Sequence, residues 1–280
     1  SIYRGDKMPL TKAGYKKRLV DKEIEENLKI FGALSIEGPK WGGKTWTALN
    51  HSNSVAFLNN TEDNFREKHL AEMDVNLVLN KEFPETIDEW QEVPSIWDAV
   101  RFKCDQDKNK GKYILTGSAI PVTDKIHHSG AGRICKIKMY TMSLYESGES
   151  SGDVSLSELF KGKFTNKLVE KTEFNKLADL IVRGGWPEVI DLDTKSAMKV
   201  TRSYIDAVLD KDIIEIDNIK RDKNKMEMLL RSLARNESSI SSNSVLVKDI
   251  CESSDENELM ISRNTVSDLS LIHISEPTRH

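Results

Sequence analysis

Apolar positions Val20, Ile24, Leu28 and Phe31 recur at steps of four, four and three, which places them on one face of a helix. Gly32 ends that helix in the usual C-terminal manner. Ala33 to Glu37 is a short apolar run with strand character. It enters a glycine-rich turn, Gly38-Pro39-Lys40-Trp41-Gly42-Gly43, and a segment from Lys44-Thr45 to about Asn50 that reads as a second helix. Further strand-like runs are Val55 to Leu58, Tyr113 to Leu115 and Ile134 to Met139, separated by polar helical stretches such as Ser95 to Cys104. Phe83 to Ile87 makes a poorer strand, because Pro84 restricts it to a sheet edge or a strand start. Strands alternating with helices predict an α/β fold with a parallel sheet up to about residue 147. Beyond Ser143 the pattern changes. Gly148 to Gly152 reads as a linker, and the apolar stripes Ala197, Val200, Tyr204, Val208 and Leu229, Leu230, Leu233 predict a second, helical unit.

Composition narrows the functional classes. At 280 residues the chain is long enough for one large or two small domains, which excludes a peptide hormone or a disulfide-stapled toxin. With 41 basic against 45 acidic residues the net charge is −4, so wholesale electrostatic capture of nucleic acid is not expected, although a local basic patch stays open. No apolar stretch is long enough to span a bilayer, and the first residues are too charged for a signal peptide, so a cytoplasmic protein is expected. Cys104, Cys135 and Cys251 form no CxxC pair, and His127-His128 has no Glu or Cys at ligand spacing, so a zinc site is not expected.

The chemistry concentrates in four places. Gly38, Gly43, Lys44 and Thr45 fit G-x-x-x-x-G-K-[ST], the Walker A pattern, in which backbone N–H groups wrap a β-phosphate at a helix N-terminus. Pro39, Lys40, Gly42 and the following Trp46 complete the candidate binding loop. Lys44 would reach the β and γ oxygens, and the Thr45 hydroxyl would ligate Mg2+. Asp88-Glu89 follows 44 residues beyond Lys44 and is the leading acidic pair, Asp88 for the metal and Glu89 as the base that positions water. The strand Tyr113 to Leu115 runs into Thr116-Gly117-Ser118, so Ser118 or Thr116 is a candidate sensor of the γ-phosphate. Arg133, just before the strand Ile134 to Met139, could complete a neighbour's site in a homo-oligomer, or be a surface ion-pair partner.

With these residues in hand, the chain resembles a family of prokaryotic AAA-type ATPases with a C-terminal domain of unknown function. The matching segments, in family order, are IEGPKWGGKT, IDEWQEVPSIWDAVR, YILTGSA, HHSGAGRI, MSLYESGES and VRGGWPE. The resemblance implies a P-loop AAA core whose parallel sheet is sandwiched by helices, ATP and Mg2+ as ligands, a helical lid, and a winged-helix-like unit. It puts Lys44 and Thr45 on the nucleotide loop, Asp88 and Glu89 on the acidic motif and Ser118 on the sensor. It also puts Arg183 where a lid could present a cation to the nucleotide, against a plain packing role at a helix end.

The expected layout is a flexible arm (1–17), an ATPase core (18–147), a linker and helical lid (148–220), a partial winged-helix-like unit (221–268) and a tail (269–280). Residues 244–268 look like the opening of a helix-turn-helix, in which Arg263, Asn264 and Thr265 would contact DNA if it binds any; a packing module is the other reading. LSLIHISEPTR, from Leu269 to Arg279, resembles a translated transposase-type sequencing adapter, so 269–280 is expected to be non-native and the native sequence to break off after Asp268. The functional expectation is a Mg2+-dependent ATPase. A nucleotide-switched DNA-binding regulator and a small-molecule kinase are the other classes.

Overall fold

The computed structural model describes residues 14–117, 130–163, 171–212, 222–237, 239, 241–253 and 266. Among these the chain divides into two compact units, 1–194 and 195–280, and the division falls inside the stretch read as linker and lid.

The first unit is built on five parallel strands, β1 (Ala33–Glu37), β2 (Ser54–Phe57), β3 (Glu85–Asp88), β4 (Tyr113–Gly117) and β5 (Ile134–Lys138), in the order β2-β3-β4-β1-β5. Strand side chains alternate between faces, and here both faces carry apolar residues. On one face Leu34, Ile36, Ile114 and Ile137 pack with Ile24 of α1 (Val20–Leu28) and Ala48 of α2 (Lys44–Asn50). On the other, Ala33, Ile87, Tyr113, Leu115 and Ile134 pack with Ala71 of α3 (Arg66–Met73) and with Ile96, Trp97 and Val100 of α4 (Ser95–Gln106). The sheet is therefore sandwiched by helices, as expected for a P-loop NTPase fold.

Two local points stand out. Of the two places Pro84 allowed, an edge or a strand start, the structure takes the second, and the strand it precedes is interior. Pro84 lies one residue before β3, so its missing N–H breaks no ladder bond, while its carbonyl accepts from the Asn53 N–H at 2.8 Å. The helix α3 has little apolar period and buries only Ala71 fully, which is why no pattern announced it.

After β5 come the short α5 (Leu156–Phe160) and α6 (Phe174–Arg183). The second unit is helical among its described residues. It contains most of α7 (Thr194–Ala207), together with α8 (Lys223–Arg235) and α9 (Asn243–Ser253). Met226 and Leu229 of α8 pack with Leu246 and Ile250 of α9, and with Leu209 and Val266. The Asp222 side chain caps α8 by accepting from the N–H groups of Asn224 and Lys225. Arg263, Asn264 and Thr265, the arm up to residue 13, His127, His128 and the tail 269–280 lie outside the described residues. Among the described residues no helix is long and apolar enough to cross a membrane.

Candidate functional site

The loop leaves β1 at its C-terminal end, and two of its glycines are required by geometry. A Cβ on Gly38 would lie 2.1 Å from the Met139 carbonyl oxygen, a backbone atom that cannot rotate away. Gly43, at the start of α2, has φ +93°, a conformation that costs little only for glycine. Lys44 is the first residue of α2 and is buried, its Nζ donating to the carbonyls of Gly38 and Pro39 at 2.9 Å each. The loop thus folds over its own cation, whose positive charge stays beside the loop's inward face.

Thr45, next in α2, donates its hydroxyl to Asp88 Oδ1 at 2.8 Å. Asp88 ends β3, and in the parallel register its neighbour on β4 is Thr116, whose hydroxyl donates to the same oxygen at 2.5 Å. Burial pushes the Asp88 carboxyl above its ordinary range, against the pull of the two hydroxyls and the Lys44 charge. Glu89 follows with φ +56°, a left-handed backbone that turns the chain sharply after the strand. Burial raises the Glu89 carboxyl too, opposed by the Gln91 amide, which donates to Glu89 Oε2, while the Asp88 charge raises it further. Two carboxyls with raised proton affinity therefore stand side by side at the sheet's C-terminal edge.

Lys44, Thr45 and Glu89 border a cavity of about 550 Å3, whose walls also include Tyr15, Lys16 and Arg18, the loop residues Lys40, Trp41 and Gly43, then Trp46, Pro187 and Glu188. The segment after α6 closes one side: the Trp186 indole N–H donates to the Lys40 carbonyl at 3.3 Å, and the Met142 N–H donates to the Gly185 carbonyl at 2.6 Å.

The structure brings together Gly38, Pro39, Lys40, Gly42, Gly43, Lys44, Thr45, Trp46, Asp88 and Glu89. It places two other candidates elsewhere. Arg133 lies at the N-terminal end of β5, the opposite end of the sheet from the loop, half exposed and paired with Asp105 at 2.5 Å. Arg183 is buried at the end of α6, where it donates to Glu149 Oε1 at 2.8 Å, and to the Ile190 carbonyl and the Ser147 hydroxyl at 3.4 Å. It does not line the cavity. Ser118 lies outside the described residues, and Thr116 is the hydroxyl seen at the acidic pair.

Reading the residues alone missed Arg18, Tyr15, Gln91 and Glu146. Tyr15 lies in the polar arm and Arg18 at the charged start of the helical stretch that follows it, and no spacing rule marks either. Glu146 sits in the quoted segment MSLYESGES, but nothing in that motif says what it binds.

Residues 31–148 match the family model described as an AAA domain, and residues 174–272 match a domain of unknown function. The second match runs four residues into the stretch expected to be foreign. Among solved structures, the chain is similar to the Walker-type ATPase paby2304 of Pyrococcus abyssi, at 14% identity over 97% of this chain and 93% of that one, with a TM-score of 0.52. It is also similar to AMPPCP-bound DnaA from Aquifex aeolicus, at 13% identity over 96% and 90% of the two chains, with a TM-score of 0.42. No curated protein matches. The two family matches cover separate stretches of the chain, and the likeness to the Pyrococcus protein shows a shared fold.

Proposed function

We propose that the protein binds ATP in the cavity above the loop and hydrolyses it to ADP and phosphate with Mg2+. The observation that carries this reading is the convergence of Lys44, Thr45, Asp88 and Glu89 at one end of the sheet, where Thr45 already touches Asp88. Loop N–H groups and the start of α2 would take the β-phosphate. Lys44, now held by two carbonyls, would exchange them for phosphate oxygens.

The oxygen donors of Thr45 and Asp88 suit Mg2+, a hard cation that keeps several waters and shares phosphate ligands. Among the described residues no group of three or more His, Cys, Asp or Glu side chains could hold a metal by itself, so the remaining ligands would be phosphate and water oxygens. When bound, the ion would neutralise charge on the β and γ oxygens. Glu89 would accept the proton of the water that attacks the γ-phosphorus as the bond to the β–γ bridging oxygen breaks. A carboxylate placed beside Asp88 favours water over a small-molecule acceptor.

ATP turnover and ATP affinity of the full chain, measured beside Lys44→Ala and Glu89→Gln, test the reading. Lys44→Ala is expected to lose both. Glu89→Gln is expected to keep binding while turnover falls about a hundredfold or more, the usual worth of a positioned base. If the unaltered chain neither binds nor hydrolyses ATP, the reading fails; normal turnover in Glu89→Gln would move the base elsewhere.

A further inference from the structure

Arg18 precedes α1 and lies outside the matched AAA domain, yet it is buried against the nucleotide loop. Its three donor positions reach three different parts of the fold. Nη1 donates to the Gly42 carbonyl at 2.8 Å, Nη2 to the Tyr140 carbonyl just past β5 at 2.7 Å, and Nε to Glu146 Oε1 at 3.0 Å. Glu146 is equally engaged. Its Oε1 also accepts from the Leu19 N–H at 2.7 Å, and its Oε2 accepts from the N–H and hydroxyl of Ser143 at 2.7 and 2.9 Å. Burial alone would push the Glu146 carboxyl up, but the Ser143 and Leu19 N–H groups and the Arg18 charge outweigh it and hold the carboxyl low.

The segment bearing Arg18 is itself pinned along α2. The Tyr15 hydroxyl donates to Asp21 at 2.6 Å and accepts from the Thr47 hydroxyl at 3.2 Å, Asp21 accepts from the Arg18 N–H at 2.8 Å, and His51 meets Asp21 at 3.0 Å. A buried ion pair is costly to form and contributes little net stability against an apolar filling, so a fully satisfied one calls for another reason. Peptide geometry supplies it. In a trans, planar peptide the C=O of one residue and the N–H of the next point in opposite directions. Holding the Gly42 oxygen against Arg18 therefore fixes which way the Gly43 N–H faces, and that N–H is one of the loop groups that a P-loop offers to phosphate. Gly43 is the residue at φ +93°, and a Cβ there would come within 3.3 Å of Arg18 Nη1.

We propose that Arg18, held by Glu146, is a positioning residue of the nucleotide loop: it fixes the Gly42–Gly43 peptide in the orientation that a bound phosphate needs. Arg18 borders the cavity, but its Nε, Nη1 and Nη2 are all engaged by protein oxygens, so its effect on the nucleotide runs through the loop. The inference rests on the ATP reading given above.

The test is Arg18→Lys in the full chain, with Glu146→Gln beside it. A lysine keeps the charge but cannot serve the Gly42, Tyr140 and Glu146 oxygens with one planar fork. Thermal unfolding without ligand and the dissociation constant for MgATP are measured on each protein. The expected result is a cooperative unfolding transition in both variants, with ATP bound at least tenfold more weakly and the ATP-induced rise in melting temperature reduced accordingly. Wild-type affinity in a folded Arg18→Lys would overturn the proposal. So would loss of the cooperative transition in both variants, which would assign the pair to holding the fold. Absence of ATP binding by the unaltered chain is a separate outcome and overturns the nucleotide reading itself.

Discussion

The hydroxyl of Thr45, on the loop helix, and the carboxylate of Asp88, at the end of β3, meet at 2.8 Å. This bond ties the two parts of the site across β4, which lies between the strand that feeds the loop and the strand that ends in Asp88. Thr116 of β4 supplies the second hydroxyl to the same Asp88 oxygen. Metal binding needs that carboxylate ionised, and its burial works against ionisation.

Replacing Thr116 by Val keeps the shape and removes one of the hydrogen bonds that lower the Asp88 proton affinity. The Asp88 carboxyl should then titrate at higher pH than in the unaltered protein. On the ATPase reading, the acid limb of the pH–rate profile moves to higher pH, so the loss of kcat/KM is larger at about pH 6 than at about pH 8. Parallel profiles of the two proteins check this. An equal loss at every pH would show that Thr116 acts on something other than Asp88 ionisation.

Gly38→Ala should damage the loop from outside. The new Cβ would sit 2.1 Å from the Met139 oxygen and 3.1 Å from its carbonyl carbon, both backbone atoms of the segment that follows β5. Relief requires shifting the loop or the end of that strand, at a cost of about 1–3 kcal/mol, typical of overpacking. Urea unfolding should show that loss together with weaker ATP binding. Wild-type stability would mean that the loop tolerates displacement there.

How much of this was legible follows from the kind of signal each residue leaves. The loop and its strand were readable because a spaced glycine, lysine and threonine pattern sits between an apolar run and a helical one. The interior position of β3 was not. Glu85 and Thr86 are buried polar residues, so the segment lacks the apolar run that marks a central strand, and only the pairing with β2 and β4 reveals its place. Arg18 is one more charge in a basic stretch until its three acceptors, from residues 42 to 146, are brought together by the fold.

Arg183 shows the reverse case, a cation that family resemblance sends toward the nucleotide and the fold sends to Glu149. Lys176 first, and then Arg183, hold the Glu149 carboxyl below its usual range, and Arg183 also reaches Ser147 and the Ile190 carbonyl. Arg183→Leu should therefore cost stability, about 1–3 kcal/mol for lost charge-assisted hydrogen bonds at a partly buried site, while the ATP dissociation constant of the folded protein stays unchanged. Denaturant titration with and without ATP measures both. A large loss of affinity in a protein that keeps its stability would restore the nucleotide role.

Glu85 makes stability itself depend on pH. It opens β3, fully buried, with one carboxylate oxygen accepting from the Lys81 N–H at 3.3 Å and the other, Oε1, left without a partner. Burial is the main cause that pushes its carboxyl from 4.5 to about 7, opposed by the Lys81 N–H and the Lys81 charge. Below pH 4.5 the folded and unfolded chains both hold this proton. Between there and about 7 the unfolded chain releases it while the folded chain keeps it, so stability falls as pH rises, and above 7 the loss is complete. The size of the effect is roughly 3 kcal/mol. Glu85→Gln removes the titration, while its amide oxygen still accepts from Lys81. Unfolding free energies of both proteins at about pH 5 and about pH 8 give the double difference that isolates this residue. The glutamine variant should gain about 2–3 kcal/mol relative to the unaltered protein between the two conditions. A difference that does not change with pH would show that Glu85 is ionised in the folded chain throughout, with a partner for Oε1 supplied by solvent.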